Sequence, residues 1–139
     1  MFASYRHTTR RQRLLTATYA ALVLTLSVLP AVPIPQILDW SRLFSPDKVA
    51  HFGVYAVFAV LLAFCLPTRT RAVAVGSAVL TATVFGALME LAQGLSGLGR
   101  QADPVDIVAN LIGALLGGLL SGLLWTTIQP RIATANRPD

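Results

Sequence analysis

The chain has 139 residues, 55% of them hydrophobic and only 12% charged, with a formal net charge of +5. Its mean hydropathy is +0.65 and its pI is near 10.4. A soluble domain carries about a quarter charged residues, so an ordinary soluble fold is excluded, and the placement of the basic residues argues against nucleic acid as their partner.

Four stretches lack Asp, Glu, Lys and Arg altogether: Leu14–Leu38, Val49–Thr68, Ala72–Met89 and Ile107–Pro130. Crossing a hydrocarbon core of roughly 30 Å takes about 20 helical residues at 1.5 Å each. The expected fold is therefore all-α: a polytopic, four-helix transmembrane bundle. A basic tail over 1–13 precedes a membrane domain over 14–128, and a second tail covers 129–139.

The first span is expected at about 14–32, where Pro30, Pro33 and Pro35 remove backbone donors and stop a helix. A cleaved signal peptide is the competing reading, with Arg10, Arg11 and Arg13 as its basic region. An apolar run of this length exceeds the usual 7–15 residues or so of a signal sequence, so retention is expected. The connection over 33–46 carries Trp40 and Phe44, residues suited to a membrane–water boundary.

Ser45–Pro46–Asp47–Lys48 reads as a helix start, with a cap, a proline at the first position and an acid at the positive dipole end. It opens the second span, about 47–66. Pro67 closes it, and the short turn to Arg71 implies an antiparallel hairpin. The third span, about 72–94, is rich in Gly76, Ser77, Ala78, Ala82, Gly86 and Ala87, and fades into Gly94, Gly97 and Gly99.

Asp103–Pro104–Val105–Asp106 opens the fourth span, about 105–126, in the same manner as the second. Gly113, Gly117, Gly118 and Gly122 follow at small-xxx-small spacing, which permits close backbone approach to a neighbour. That neighbour is either another span of the chain or a second copy in a homo-oligomer. Cys65 is the single cysteine, so no intrachain disulfide forms.

Charge sets the expected orientation. Arg6, Arg10, Arg11, Arg13, Arg69, Arg71, Arg131 and Arg137 fall on one side of alternating spans, and Arg42, Lys48 and Arg100 on the other. The richer side is cytoplasmic, giving N-in and C-in in an inner membrane. The basic ends then touch anionic lipid rather than nucleic acid.

The remaining polar residues cluster at the other boundary. Asp47, His51 and Tyr55 form an i, i+4, i+8 stripe. Glu90 and Gln93 share a face, and Asp106, Asn110, Gly113 and Gly117 form another stripe continuous with the glycines. Ionisable groups at membrane depth face protein or water and find partners, so these three stripes are expected to turn inward together.

The segments DKVAHFGVYAVFAVLLAF (47–64), E-x-x-Q (Glu90, Gln93) and R-x-x-D-x-x-D-x-x-x-N-x-x-G-A-L-L-G (100–117) together resemble the VanZ-like family of small bacterial membrane proteins. The resemblance covers about 45–120. It implies a link to the cell envelope and to tolerance of teicoplanin-type glycopeptides, with Asp47, Lys48, His51, Tyr55, Glu90, Gln93, Arg100, Asp103, Asp106 and Asn110 as matching positions. It supplies no reaction.

Three uses of the cluster are open at this stage. A pocket for an envelope lipid or peptidoglycan precursor would set Lys48 and Arg100 on phosphate or carboxylate, and Asp106 and Glu90 on amines or hydroxyls. A hydrolase or transferase would use Glu90 or Asp106 as base, His51 as its acid–base partner and Arg100 as oxyanion stabiliser, although no serine motif surrounds Ser96. Ion-coupled transport is the third, and a purely structural network the bland alternative. No cofactor and no metal are expected, since a lone histidine in the cluster (His51) makes a weak metal signature.

Overall fold

The computed structural model describes residues 2–29, 45–65, 70–97 and 102–134, with side chains over 10–29, 45–65, 70–97 and 102–127. Four helices follow in order: α1 (Phe2–Val28), α2 (Pro46–Cys65), α3 (Arg71–Leu95) and α4 (Pro104–Thr134). No strand occurs among the described residues.

Among the described residues three helices are long and apolar enough to cross a membrane: Pro46–Cys65, Arg71–Leu95 and, within α4, Pro104–Thr127. The 20 residues of α2 correspond to about 30 Å. In α1 the apolar part that is described runs only from Leu14 to Val28, about 22 Å of helix. The rest of the expected first span, with its prolines, lies outside the described residues, as do Trp40, Phe44 and Pro67. Helical backbone extends beyond two expected span limits, back to Phe2 and onward to Thr134.

The bundle turns apolar side chains outward. Leu80, Leu88, Leu91, Leu119 and Leu123 are each more than half exposed, an arrangement that water penalises and lipid accepts. The interior holds small residues and a few aromatics. Ala59, Ala63, Ala78, Ala82 and Ala114 are buried around Phe58 and Tyr55, and Phe58 meets Phe85 at 5.1 Å and Tyr19 at 6.0 Å.

The most extensive pairing is between α2 and α4, and glycine is the reason. A Cβ on Gly113 would collide with the Phe52 carbonyl, and one on Gly117 with the Ala56 carbonyl. Gly118 faces Val79 and Val75 of α3, and Gly122 faces the Arg71 guanidinium. The close approaches of all four glycines are thus made within the chain. Helix α1 packs more lightly, through Thr16, Val23 and the Tyr19 hydroxyl, which donates to the Val54 carbonyl at 3.0 Å.

Two helix starts follow their sequence logic. Asp103 accepts the Val105 N–H through Oδ1 at 2.9 Å and caps α4. Ser45 stands at the cap position of α2, where its carbonyl accepts the Val49 N–H at 3.0 Å. A third cap, marked by neither proline nor acid in the sequence, is Thr70, which accepts the Val73 N–H at the start of α3.

Candidate functional site

The antiparallel order of α2, α3 and α4 brings the beginning of α2, the end of α3 and the beginning of α4 to one end of the bundle. Every stripe expected from the sequence meets there. Lys48, Tyr55, Glu90, Gln93, Asp106 and Asn110 are buried, and Asp47, His51 and Asp103 are partly exposed. Arg100 lies outside the described residues.

Lys48 is the centre of the ionic part. Its Nζ donates to Asp103 Oδ2 at 2.9 Å, to Asp47 Oδ2 at 3.3 Å and to Asp106 Oδ1. An ammonium has three N–H donors, and here each has a carboxylate. Lys48 thereby gathers three acids, one from α2 and two from the start of α4. Asp103 does two jobs at once, capping α4 and pairing with Lys48.

His51 is held by Asn110, with Nδ1 and Oδ1 2.8 Å apart. An amide oxygen only accepts, so Nδ1 donates in this bond and Nε2 faces elsewhere. The imidazole lies parallel to the Tyr55 ring, with centroids 6.4 Å apart. Around it stand Glu90 Oε1 at 3.9 Å from Nδ1, Asp106 Oδ2 at 3.9 Å from Nε2 and Asp47 Oδ1 at 4.0 Å from Nε2. The direct partner of His51 is thus Asn110, with the expected carboxylates one step further out.

Gly86 makes room for this layer, since a Cβ there would come within 2.9 Å of both Asn110 and Tyr55. Sequence reasoning assigned Gly86 only to the small residues of its span.

Glu90 is almost wholly buried, at 1% exposure. Its Oε2 accepts the Asp103 N–H at 3.3 Å, while Oε1 has no hydrogen-bond partner among the described residues. The same holds for Asn110 Nδ2. A buried polar atom left unpaired costs about 1–3 kcal/mol, so one unpaired acceptor and one unpaired donor in a single layer are a substantial expense. Four carboxyl groups against one ammonium make the described cluster acid-rich.

A cavity of about 160 Å³ opens beside it, between α1 and the polar ends of α2 and α3. Asp47, His51, Tyr55 and Gln93 line one part, and Val23, Leu26 and Val54 another. Gln93 thereby takes its place at the site. Ser96 is the C-cap of α3 and its hydroxyl donates to the Gln93 carbonyl at 2.8 Å, which is a helix-ending role.

A family model described as VanZ/LLP1 matches residues 2–125, most of the chain. No curated protein and no solved structure matches it.

Proposed function

We propose that the chain, which belongs to the VanZ-like family, binds the polar group of an envelope lipid or lipid-linked wall precursor at its polar cluster and thereby contributes to glycopeptide tolerance. The observation that carries this reading is the mixed lining of the cavity, with carboxylate, imidazole and amide on one side and aliphatic side chains of α1 and α2 on the other. An amphiphile lying in the bilayer presents that same pairing of polar head and apolar chain.

The cluster's chemistry narrows the head group. Carboxylates outnumber cations among the described residues, and Lys48 is engaged by three of them. Acceptors therefore prevail, and they suit amines and hydroxyls. The unpaired Glu90 Oε1 and Asn110 Nδ2 complement a group that both donates and accepts, such as a sugar hydroxyl. Asp47, His51, Tyr55 and Gln93 form the binding side of the cavity, with Glu90 and Asn110 buried behind His51, while Lys48, Asp103 and Asp106 hold it in shape.

The topology belongs to the same proposal: four spans, both termini cytoplasmic, in the inner membrane, with the polar cluster at the outer face. Eight cations against three support it. Cysteine labelling at Arg69 or Arg71, in a Cys65→Ala background, is expected to stay silent from outside intact cells. Labelling from outside would reverse the site's side.

Binding is tested with purified full chain and a lipid-linked wall precursor in mixed micelles. Wild type is expected to bind and Glu90→Gln to lose at least about tenfold, the cost of a hydrogen bond to a charged group. Absence of binding to any envelope lipid fraction overturns the reading. Cells with and without the gene are expected to differ in teicoplanin susceptibility.

One observation favours a second reading, an enzyme acting on the same lipid. Glu90 Oε1, unpaired and 3.9 Å from His51, is a base placed beside an imidazole. That reading requires a modified product when protein and lipid extract are incubated together.

A further inference from the structure

Asp47 and Asp106 each use one carboxylate oxygen on Lys48, Oδ2 and Oδ1 respectively, and turn the other toward His51 Nε2. Those second oxygens stand 4.0 and 3.9 Å from the nitrogen, too far apart for hydrogen bonds. The Asn110 bond keeps the imidazole proton on Nδ1. With the ring neutral, its Nε2 lone pair turns to these oxygens, and Asp47, His51 and Asp106 offer ligand atoms that all lie within 4.8 Å of one another. Acceptors gathered in this way repel unless a cation sits between them.

We propose that Asp47 Oδ1, His51 Nε2 and Asp106 Oδ2 bind a divalent metal ion of the zinc or manganese kind, with its remaining positions open to water or a ligand oxygen. Metal–donor bonds of about 2.0–2.2 Å place neighbouring ligand atoms roughly 3–4 Å apart, close to the two distances to Nε2. The half-exposed Asp47 side chain closes the rest of the gap. Asp47 and His51 stand at i, i+4 on α2, the spacing by which one helix turn offers two ligands to one ion.

The surroundings supply what such a centre needs. Asn110 holds the far side of the imidazole, as a carbonyl or carboxylate does for most metal-bound histidines. Glu90, buried and with Oε1 unpaired at 3.9 Å from the ring, stands on the same Nδ1 side as Asn110. Among the described residues four carboxyl groups stand against one ammonium, an excess that a dication offsets and that is costly at membrane depth when uncompensated. One imidazole with two carboxylates selects zinc or manganese over calcium, which takes oxygen alone.

This inference stands apart from head-group binding, because metal alone is the probe. Chelator-stripped full chain in detergent is dialysed against micromolar zinc or manganese, and bound metal is counted by mass spectrometry. Wild type is expected to retain one ion per chain. His51→Gln is expected to lose at least about tenfold in affinity and Asn110→Ala about 10–100-fold, while His7→Ala, in the basic tail over 1–13, is unchanged.

His51→Cys loaded with cobalt guards against misfolding as the cause of a loss. It is expected to gain a thiolate-to-cobalt absorption band that wild type lacks. No retention by wild type, unchanged uptake in His51→Gln, or no new band in His51→Cys overturns the site.

Discussion

The two halves of this bundle are built from the same helices by opposite means. At one end Lys48, His51, Glu90, Asp106 and Asn110 crowd into a partly buried layer. Along the rest, α2, α3 and α4 meet through glycine, alanine and Phe58, with no Asp, Glu, Lys, Arg or His over 57–65, 73–88 and 111–125. The apolar half shows that this chain can join its helices by close packing alone. A hydrogen bond between membrane helices contributes only about 0.6 kcal/mol on average, and replacing a buried ion pair by matched apolar groups is often neutral or stabilising. Polar residues held at one end, beside a cavity, are what the proposed binding role accounts for.

That contrast is broken or sharpened most forcefully at Lys48. Lys48→Met leaves the buried Asp106 carboxylate without its ammonium and is expected to cost about 3–5 kcal/mol, read as thermal unfolding in detergent. The double change Lys48→Met with Asp106→Leu is expected to recover most of the stability but not precursor binding. Recovery of both would reduce the polar end to scaffolding.

In the apolar half the largest response is expected at Gly117. Gly117→Val drives a side chain into the Ala56 carbonyl and should cost about 1–3 kcal/mol, as overpacking does. Full stability of that variant would mean the α2–α4 approach is looser than the glycine contacts require.

Glu90→Gln separates stability from function. It keeps the acceptor for the Asp103 N–H and replaces a buried carboxyl group with an amide. Its stability change is expected to stay within about 1 kcal/mol while precursor binding falls at least tenfold. Smallest of all is Leu119→Ala: this side chain is 62% exposed on the outward face of α4, and a change of about 0.5 kcal/mol or less is expected. A larger loss would place a partner on that face.

Much of this was legible in the chain itself. Uncharged stretches of membrane length announced the apolar helices, because lipid offers the backbone no hydrogen bonds and so forces helix. Their proline-and-acid starts placed the beginnings of α2 and α4 within a residue or so. Periodicity put Asp47, His51 and Tyr55 on one stripe and Asp106, Asn110, Gly113 and Gly117 on another, and the family resemblance rested on those same residues.

What the sequence left open was partnership, since spacing along one helix says nothing about which side chain of the next helix it meets. Only the packed bundle gave Lys48 to three carboxylates, His51 to Asn110 rather than to an acid, and Gly113 and Gly117 to the backbone of α2. The reason is distance. Helix period is a local property fixed by 3.6 residues per turn, whereas these contacts, Lys48 with its neighbour Asp47 apart, join residues 55 or more apart in the chain. They exist only once the glycines let α2 and α4 close on each other.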